Sequence, residues 1–179
     1  MRLSVPRVKP LPESEWSDEV REALPSGGGG RKQLNIFTTL ARHPKLLKRW
    51  LVFGNHVLSK STLPAREREL VILRTGFLCN SPYEFHQHTR IGLSAGLTSE
   101  EIAKLKQDAG AWSGPDAVLV RACDELHADQ MISDATWQEL RGRFDEQQVI
   151  DLVFAIGQYT LVSMALNTLG VQIEEGSGS

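Results

Sequence analysis

A pair of helices joined by a short polar turn is the strongest structural signal in this 179-residue sequence, and it spans residues 63–96. Pro64 suits the first turn of the first helix, because the N–H that proline lacks would be unpaired there. The second helix is predicted to begin at Ser81, with Pro82 just inside it, and to end at Gly96, since glycine often follows the last helical residue. The chain is therefore expected to be organised around two adjacent antiparallel helices.

Helix-start signals continue along the rest of the chain, and no stretch shows the alternation typical of a strand. Residues 98–101 and 145–148 each have the pattern of a capping box, in which two side chains bond to backbone N–H groups of the first turn. Ser133 is predicted to cap a further helix, and Asn35 a short one. The length suits one domain with a sizeable core. We therefore predict an all-α protein with a single domain.

The composition of the chain predicts a division into three segments. Residues 1–30 are predicted to form an N-terminal arm, with a short helix and a glycine-rich loop that would let this helix pack on a neighbouring subunit. Residues 31–173 are predicted to form the helical domain. Residues 174–179 end in Gly-Ser-Gly-Ser and are expected to be a disordered tail added during cloning.

Net charge and cysteine content limit the binding partners and the cellular compartment that the sequence favours. A net charge of −2 gives no indication of binding to nucleic acid or to an anionic membrane. Two distant cysteines do not form a disulfide framework, which suits a reducing cytoplasm. No signal peptide is evident. The apolar stretch 149–166 is interrupted by Asp151 and Gln158, so we interpret it as a buried helix and not as a membrane span.

Candidate chemistry lies in the central pair of helices. Glu84 and His88 are four residues apart, so their side chains are neighbours on one helical face. A carboxylate beside an imidazole raises its pKa and fixes its orientation, as a general acid or base requires. Glu69, on the preceding helix, is expected to complete the catalytic set. From spacing alone, however, Glu84 could equally serve as the capping residue of Ser81.

Residues at the junction of the two helices and in the last apolar helix are candidate ligand contacts. Cys79, Ser81 and Tyr83 are predicted to bind substrate at the junction of the two helices, with redox chemistry at Cys79 not expected. Gln158, Tyr159 and Asn167 could donate hydrogen bonds to a pocket, but they are expected mainly to pair with buried backbone groups. The sequence has no His-Glu-x-x-His, no Glu-x-x-His pair, no cysteine cluster and no phosphate-binding glycine loop, so we predict neither a metal nor a cofactor.

The spacing Glu-x11-Ser-x2-Glu-x3-His, from Glu69 to His88, resembles the Glu-x11-Cys-x2-Cys-x3-His signature of AhpD-like alkylhydroperoxidases, with both redox cysteines replaced. The stretches RERELVILR, YEFHQH and GLTSEEI are closer to the carboxymuconolactone decarboxylase family, in a decarboxylase-like branch without the Cys-x-x-Cys pair. A second register, Glu67, Cys79, Pro82 and His86, has the same spacing but places proline in the second cysteine position.

This resemblance implies an AhpD-like antiparallel helical bundle that assembles as a homotrimer or homohexamer. It also implies a lyase that removes CO2, without a cofactor, from a small lactone, keto acid or aromatic-derived carboxylate. In that reaction His88 is expected to donate a proton, Glu84 to orient His88, and Glu69 to act as a further acid.

Three alternatives remain. An AhpD-like thiol peroxidase or reductase would need two communicating cysteines. Another lyase, isomerase or cyclase on the same scaffold would differ in its product. A non-catalytic, ligand-binding oligomer would bind without turnover.

Overall fold

The computed structural model describes residues 3–24 and 33–174, and these residues form helices and no strands. Short helices at Glu13–Glu15 and Ala109–Ala111 and a π-helical turn at His56–Lys60 supplement the α-helices. The α-helices, in chain order, are α1 Asp18–Ala23, α2 Asn35–Leu40, α3 Pro44–Asn55, α4 Ala65–Leu78, α5 Pro82–Ser94, α6 Ser99–Lys104, α7 Ala117–Asp129, α8 Asp134–Arg141 and α9 Glu146–Leu169. The all-α prediction is confirmed.

Contacts divide the chain into two compact units, Val57–Met164 and a second unit made of Met1–His56 with Ala165–Ser179. The predicted glycine-rich loop and nearly all of the predicted tail lie outside the described residues. The predicted domain boundaries therefore stay predictions.

In the unit Val57–Met164, α4 is the central helix and packs against both α5 and α7. Its buried positions are apolar for most of its length, and Leu70, Ile72 and Leu73 are fully enclosed in the core. The predicted capping boxes form at Thr98 with Glu101 and at Asp145 with Gln148. Gly96 has a φ of 102°, the left-handed region that favours glycine after a helix.

In the other unit, α1 packs within the same chain. Trp16, Val20 and Leu24 are buried with Ala41 and Leu47, so the suggestion that this helix packs on a neighbouring subunit is not needed to cover its apolar face. Asn35 does not cap α2. It is the first helical residue, and its side chain donates to the carbonyl oxygen of Gln172.

The two ends of the described chain meet in this unit. The backbone N–H groups of Arg7 and Val8 both donate to the carbonyl oxygen of Leu169, and the side chain of Gln172 donates to the carbonyl oxygen of Leu3. Gly170 follows α9 with a φ of 71°, and a Cβ atom there would lie 3.0 Å from the carbonyl oxygen of Val5. Glycine is required at this position by both conformation and space.

Helix α9 is the one described helix that is long and apolar enough to cross a membrane. Half of its most apolar 18-residue window is buried inside the protein.

Candidate active site

Helices α4 and α5 approach each other closely, and two glycines permit this. A Cβ atom at Gly92 would lie 3.1 Å from the Cδ1 atoms of Leu73 and Leu97, and one at Gly76 would lie 3.4 Å from Cγ of Glu84. Because these positions carry no side chain, carboxylates from the two helices can reach a common point in the buried interface.

Glu69, Glu84 and His88 meet at that point. Nδ1 of His88 lies 2.6 Å from Oε2 of Glu69, and Nε2 lies 3.0 Å from Oε1 of Glu84. The three residues are 0%, 3% and 5% exposed, respectively. Both nitrogens of one imidazole are thus held by carboxylates, one from each helix.

The two carboxylates keep this imidazole charged. Burial by itself lowers the pKa of His88, but the hydrogen bonds and negative charges of Glu69 and Glu84 raise it by more, from 6.5 to about 9. At neutral pH His88 is therefore an imidazolium that donates one N–H to each glutamate. Each glutamate uses one oxygen for His88 and keeps its second oxygen for another partner.

Tyr159, on α9, also belongs to this cluster. The edge of its ring packs against the His88 ring at a centroid distance of 4.8 Å and an interplanar angle of 80°. Burial raises the pKa of the Tyr159 hydroxyl, and the negative charges of Glu84 and Glu69 raise it further, so the hydroxyl keeps its proton. The expectation that this residue mainly serves buried backbone groups does not account for its contact with His88.

Arg68 brings a second positive charge to the cluster. Its Nε lies 3.6 Å from Oε1 of Glu69, and neither of these two buried atoms has a hydrogen-bond partner among the described residues. The positive charge of Arg68 also acts on the hydroxyl of Tyr159, where it partly offsets the rise in pKa that burial and the two glutamates cause. With Glu69, Glu84 and His88 ionised, Arg68 makes the cluster electrically neutral.

The capping role considered for Glu84 is wrong. The backbone N–H of Ser81 donates to the carbonyl oxygen of Gly76, the side chain of Ser81 makes no capping bond, and Glu84 contacts His88. Ser81 is 98% buried, and its Oγ has no hydrogen-bond partner among the described residues. Both side chains are consequently available for something other than stabilising the start of α5.

The other predicted ligand contacts lie on and beside the same helix. Tyr83 is buried in the first turn of α5. Cys79, partly buried at the end of α4, has its Sγ 4.0 Å from Nδ1 of His127. Cys123 is buried deep in the core, where its thiol donates to the carbonyl oxygen of Val71 and burial raises its pKa.

The second register is not supported by the geometry. Glu67 forms an ion pair with Arg143 at 2.7 Å instead of joining the cluster. Arg74, on the same helix as Glu69, pairs with Asp124 through two hydrogen bonds. In residues 3–24 and 33–174, no group of three or more His, Cys, Asp or Glu side chains is arranged to hold a metal ion.

Sequence reasoning missed Arg68 and underrated Tyr159. Arg68 stands in the charge run of residues 66–69, a pattern usually typical of a solvated face. A tyrosine in the middle of a long apolar helix was the available signal for Tyr159, but nothing in the sequence indicated which helix it would face.

The comparisons with known proteins agree with this fold. The model of the carboxymuconolactone decarboxylase family matches residues 44–124. No curated protein matches the chain significantly.

Several solved structures are similar over nearly the whole chain. An uncharacterised peroxidase-related protein from Ralstonia eutropha JMP134, described as an alkylhydroperoxidase AhpD core, is 17% identical, with a TM-score of 0.80 over 94% of this chain and 92% of that one. A peroxidase-related protein from Silicibacter sp. TM1040 is 15% identical, with a TM-score of 0.73 over 97% and 92%. The debrominase Bmp8, in complex with 2,3,4-tribromopyrrole, is 12% identical, with a TM-score of 0.75 over 98% and 95%.

At these identities the structures show the fold alone, whereas the family model rests on sequence. The chain therefore has an AhpD-like helical fold, and its residues 44–124 match the model of the carboxymuconolactone decarboxylase family.

Proposed function

We propose that the protein is a cofactor-independent acid/base enzyme of the carboxymuconolactone decarboxylase type. Its substrate would be a small lactone, keto acid or aromatic-derived carboxylate, and its reaction the loss of CO2. The observation that carries this proposal is the buried imidazolium of His88, held between Glu69 and Glu84 at 2.6 and 3.0 Å. Such an arrangement stores a proton in a place from which water is largely excluded.

Loss of CO2 leaves an electron pair on the substrate carbon, and a neighbouring carbonyl must accept it as an enolate. The carbon then needs a proton. Both N–H groups of His88 are engaged, so we propose that the proton passes from Nε2 to Glu84 and from Glu84 to the carbon. His88 is left neutral and regains a proton from solvent after each turnover. Positioned acid catalysis of this kind contributes about 10²–10⁴-fold in rate.

Arg68 and Tyr159 supply what an anionic substrate needs. A guanidinium binds a carboxylate or an enolate oxygen, and a tyrosine that stays protonated can donate to the same group. The Nε of Arg68, which has no hydrogen-bond partner among the described residues, supports this role. Fixed donors aimed at a developing negative charge often make the largest contribution to catalysis, so these two residues complement the proton relay.

The test is CO2 release from a panel of small keto acids, lactones and aromatic carboxylates. His88→Gln should lower the rate by about 10²–10⁴-fold, and His86→Gln is the matched control, since His86 lies on the same helix outside the cluster. Wild-type turnover in His88→Gln, or no CO2 from any compound, would refute the proposal.

Product formation without CO2 would instead indicate an isomerase, a cyclase or a different lyase. Binding without turnover, unaffected by Glu84→Gln, would indicate a ligand-binding protein.

Thiol chemistry at Cys79 is the second candidate. The contact with His127 at 4.0 Å favours it, because a nearby imidazole can take the thiol proton. Two solved structures of this fold are also described as peroxidase-related. The buried Cys123, with its raised pKa, does not suit the role of a resolving cysteine. Peroxide consumption that is lost in Cys79→Ser would decide for this candidate.

The proposal also covers the size of the substrate, the cellular compartment and the assembly of the protein. A substrate the size of a single aromatic ring would be similar to the ligand of the debrominase. Two cysteines that are not joined in a disulfide suit a reducing cytoplasm. We also propose a homo-oligomer, as the sequence resemblance implied.

A further inference from the structure

One face of α9 carries a row of exposed apolar side chains. Ile150, Phe154, Leu161 and Met164 are 49%, 55%, 56% and 63% exposed. Gly157 lies in the middle of the row, and a Cβ atom added there would meet no atom within 4 Å. The successive spacings of 4, 3, 4 and 3 residues keep all five positions on one side of the helix, as in the seam between two packed helices.

This face lacks the charges of a solvated surface. The sequence from residue 152 to residue 173 contains no Asp, Glu, Lys or Arg. The exposed side of an amphipathic helix normally carries charged or polar residues, and a large apolar patch on a protein usually marks a binding surface. The row from Ile150 to Met164 is therefore suited to burial against a partner.

The pattern of the row is nearly the same in both directions. Phe154 lies three residues before Gly157, and Leu161 lies four residues after it. Ile150 and Met164 lie seven residues before and seven residues after it. If an identical helix is laid across it in the opposite direction, Phe154 faces Leu161 of the other copy and Ile150 faces Met164. Such self-complementarity is what a two-fold symmetric contact requires.

We propose that this face of α9 packs antiparallel against α9 of a second copy of the chain, with the two helices crossing at Gly157. Glycine at the crossing lets the two backbones approach closely, as small residues do between packed helices. Taking roughly 200 Å² for a large apolar side chain, the four half-exposed residues bury about 400 Å² per copy. The helix flanks then need to add a modest area to reach the roughly 1,200 Å² of a stable interface.

The contact gives the oligomer a defined surface. The opposite face of the same helix carries Tyr159, so the pairing encloses α9 between a second copy and the candidate active site. A two-fold contact builds a dimer, or a hexamer made of three pairs, but not a simple trimer. The proposal does not depend on the reaction catalysed.

The first test measures mass by analytical ultracentrifugation. Met164→Glu should weaken self-association roughly a hundredfold, since a carboxylate would be buried in each half of an apolar contact. Met131→Glu is the matched control, because Met131 is 64% exposed and lies outside α9. Wild type should sediment as an even-numbered oligomer, Met164→Glu at half that mass or less, and Met131→Glu like wild type. A monomeric wild type, or an unchanged mass in Met164→Glu, overturns the proposal.

The second test locates the symmetry axis. In a Cys79→Ser background, Gly157→Cys should form a disulfide between two copies on mild oxidation, because the Cα atoms must lie within about 7 Å of each other. Met131→Cys in the same background should not. An oligomer in which Gly157→Cys fails to cross-link overturns the antiparallel pairing, as does a monomer that binds phosphatidylcholine vesicles through this face.

Discussion

His88 is a buried cation, and at the scale of single residues its environment sets several expectations. The imidazole is charged only because Glu69 and Glu84 outweigh the effect of burial. The same geometry that makes a proton available for catalysis also ties that proton to the stability of the fold.

We expect the stability of the protein to fall between pH 6.5 and pH 9. The folded-state pKa of His88, about 9, lies above its unfolded value of 6.5. The contribution is therefore complete below pH 6.5 and is lost as the pH rises through 9, with a size on the order of 3 kcal/mol. Urea unfolding at a series of pH values measures it, and the slope should be shallower in His88→Gln. Equal slopes in the two proteins would contradict the expectation.

Glu69→Gln should lower the pKa of His88, because one of the two charges that raise it is removed. Glu67→Gln makes the same chemical change two residues away, at a carboxylate paired with Arg143, and should leave this pKa unchanged. An NMR titration of the histidine ring reports both. If the two variants titrate alike, Glu69 is not what holds the proton on His88.

At this scale the sequence was informative where spacing within one helix decides the contact. Glu84 and His88 are neighbours by helical geometry, and their contact needed no tertiary information. The contact of Glu69 with His88 depends on how α4 and α5 cross, and there the family resemblance supplied the alignment. Tyr159 comes from a helix about 70 residues further on, and its position could not be deduced from local pattern.

Among the helices, the interface of α4 and α5 depends on small residues. Gly92→Ala should lower the free energy of unfolding by about 1 kcal/mol. Overpacking costs roughly 1–3 kcal/mol, and the higher helix propensity of alanine offsets about 1 kcal/mol of that cost. The clash is with Leu73 and Leu97, both at 3.1 Å. Arg90→Ala, on the exposed side of α5, is the control for thermal unfolding. A stabilised Gly92→Ala variant would mean that these leucines give way easily.

Helix boundaries were well predicted where side chains cap the helix locally. The boxes at Thr98 and Asp145 form as expected, because both partners lie within four residues. Ser81 and Asn35 were expected to cap helices and do not. In the same turns Glu84 bonds to His88, and Asn35 bonds to a carbonyl 137 residues away. Tertiary partners outcompeted the local bond in both cases.

For the molecule as a whole, the join between α9 and the N-terminal arm constrains stability. Gly170→Ala should lower the free energy of unfolding by about 2 kcal/mol or more, because a left-handed conformation costs roughly 1–2 kcal/mol for alanine and the new Cβ would meet the backbone of Val5. Gly110→Ala meets open space and serves as the control. Limited proteolysis should cut the arm of the Gly170→Ala variant first. Equal resistance in both variants would show that the arm does not depend on this contact.

The contact between Leu3 and Gln172 makes this chain suitable for circular permutation, in which the old ends are joined and new ends are opened elsewhere. Since these residues share a hydrogen bond, a short peptide could join them without disturbing either helix. New ends could then be opened in the exposed stretch around Gly114. A circularly permuted chain of this kind would keep α4, α5 and α9 intact and would still encode the whole of the Glu69–His88–Glu84 cluster.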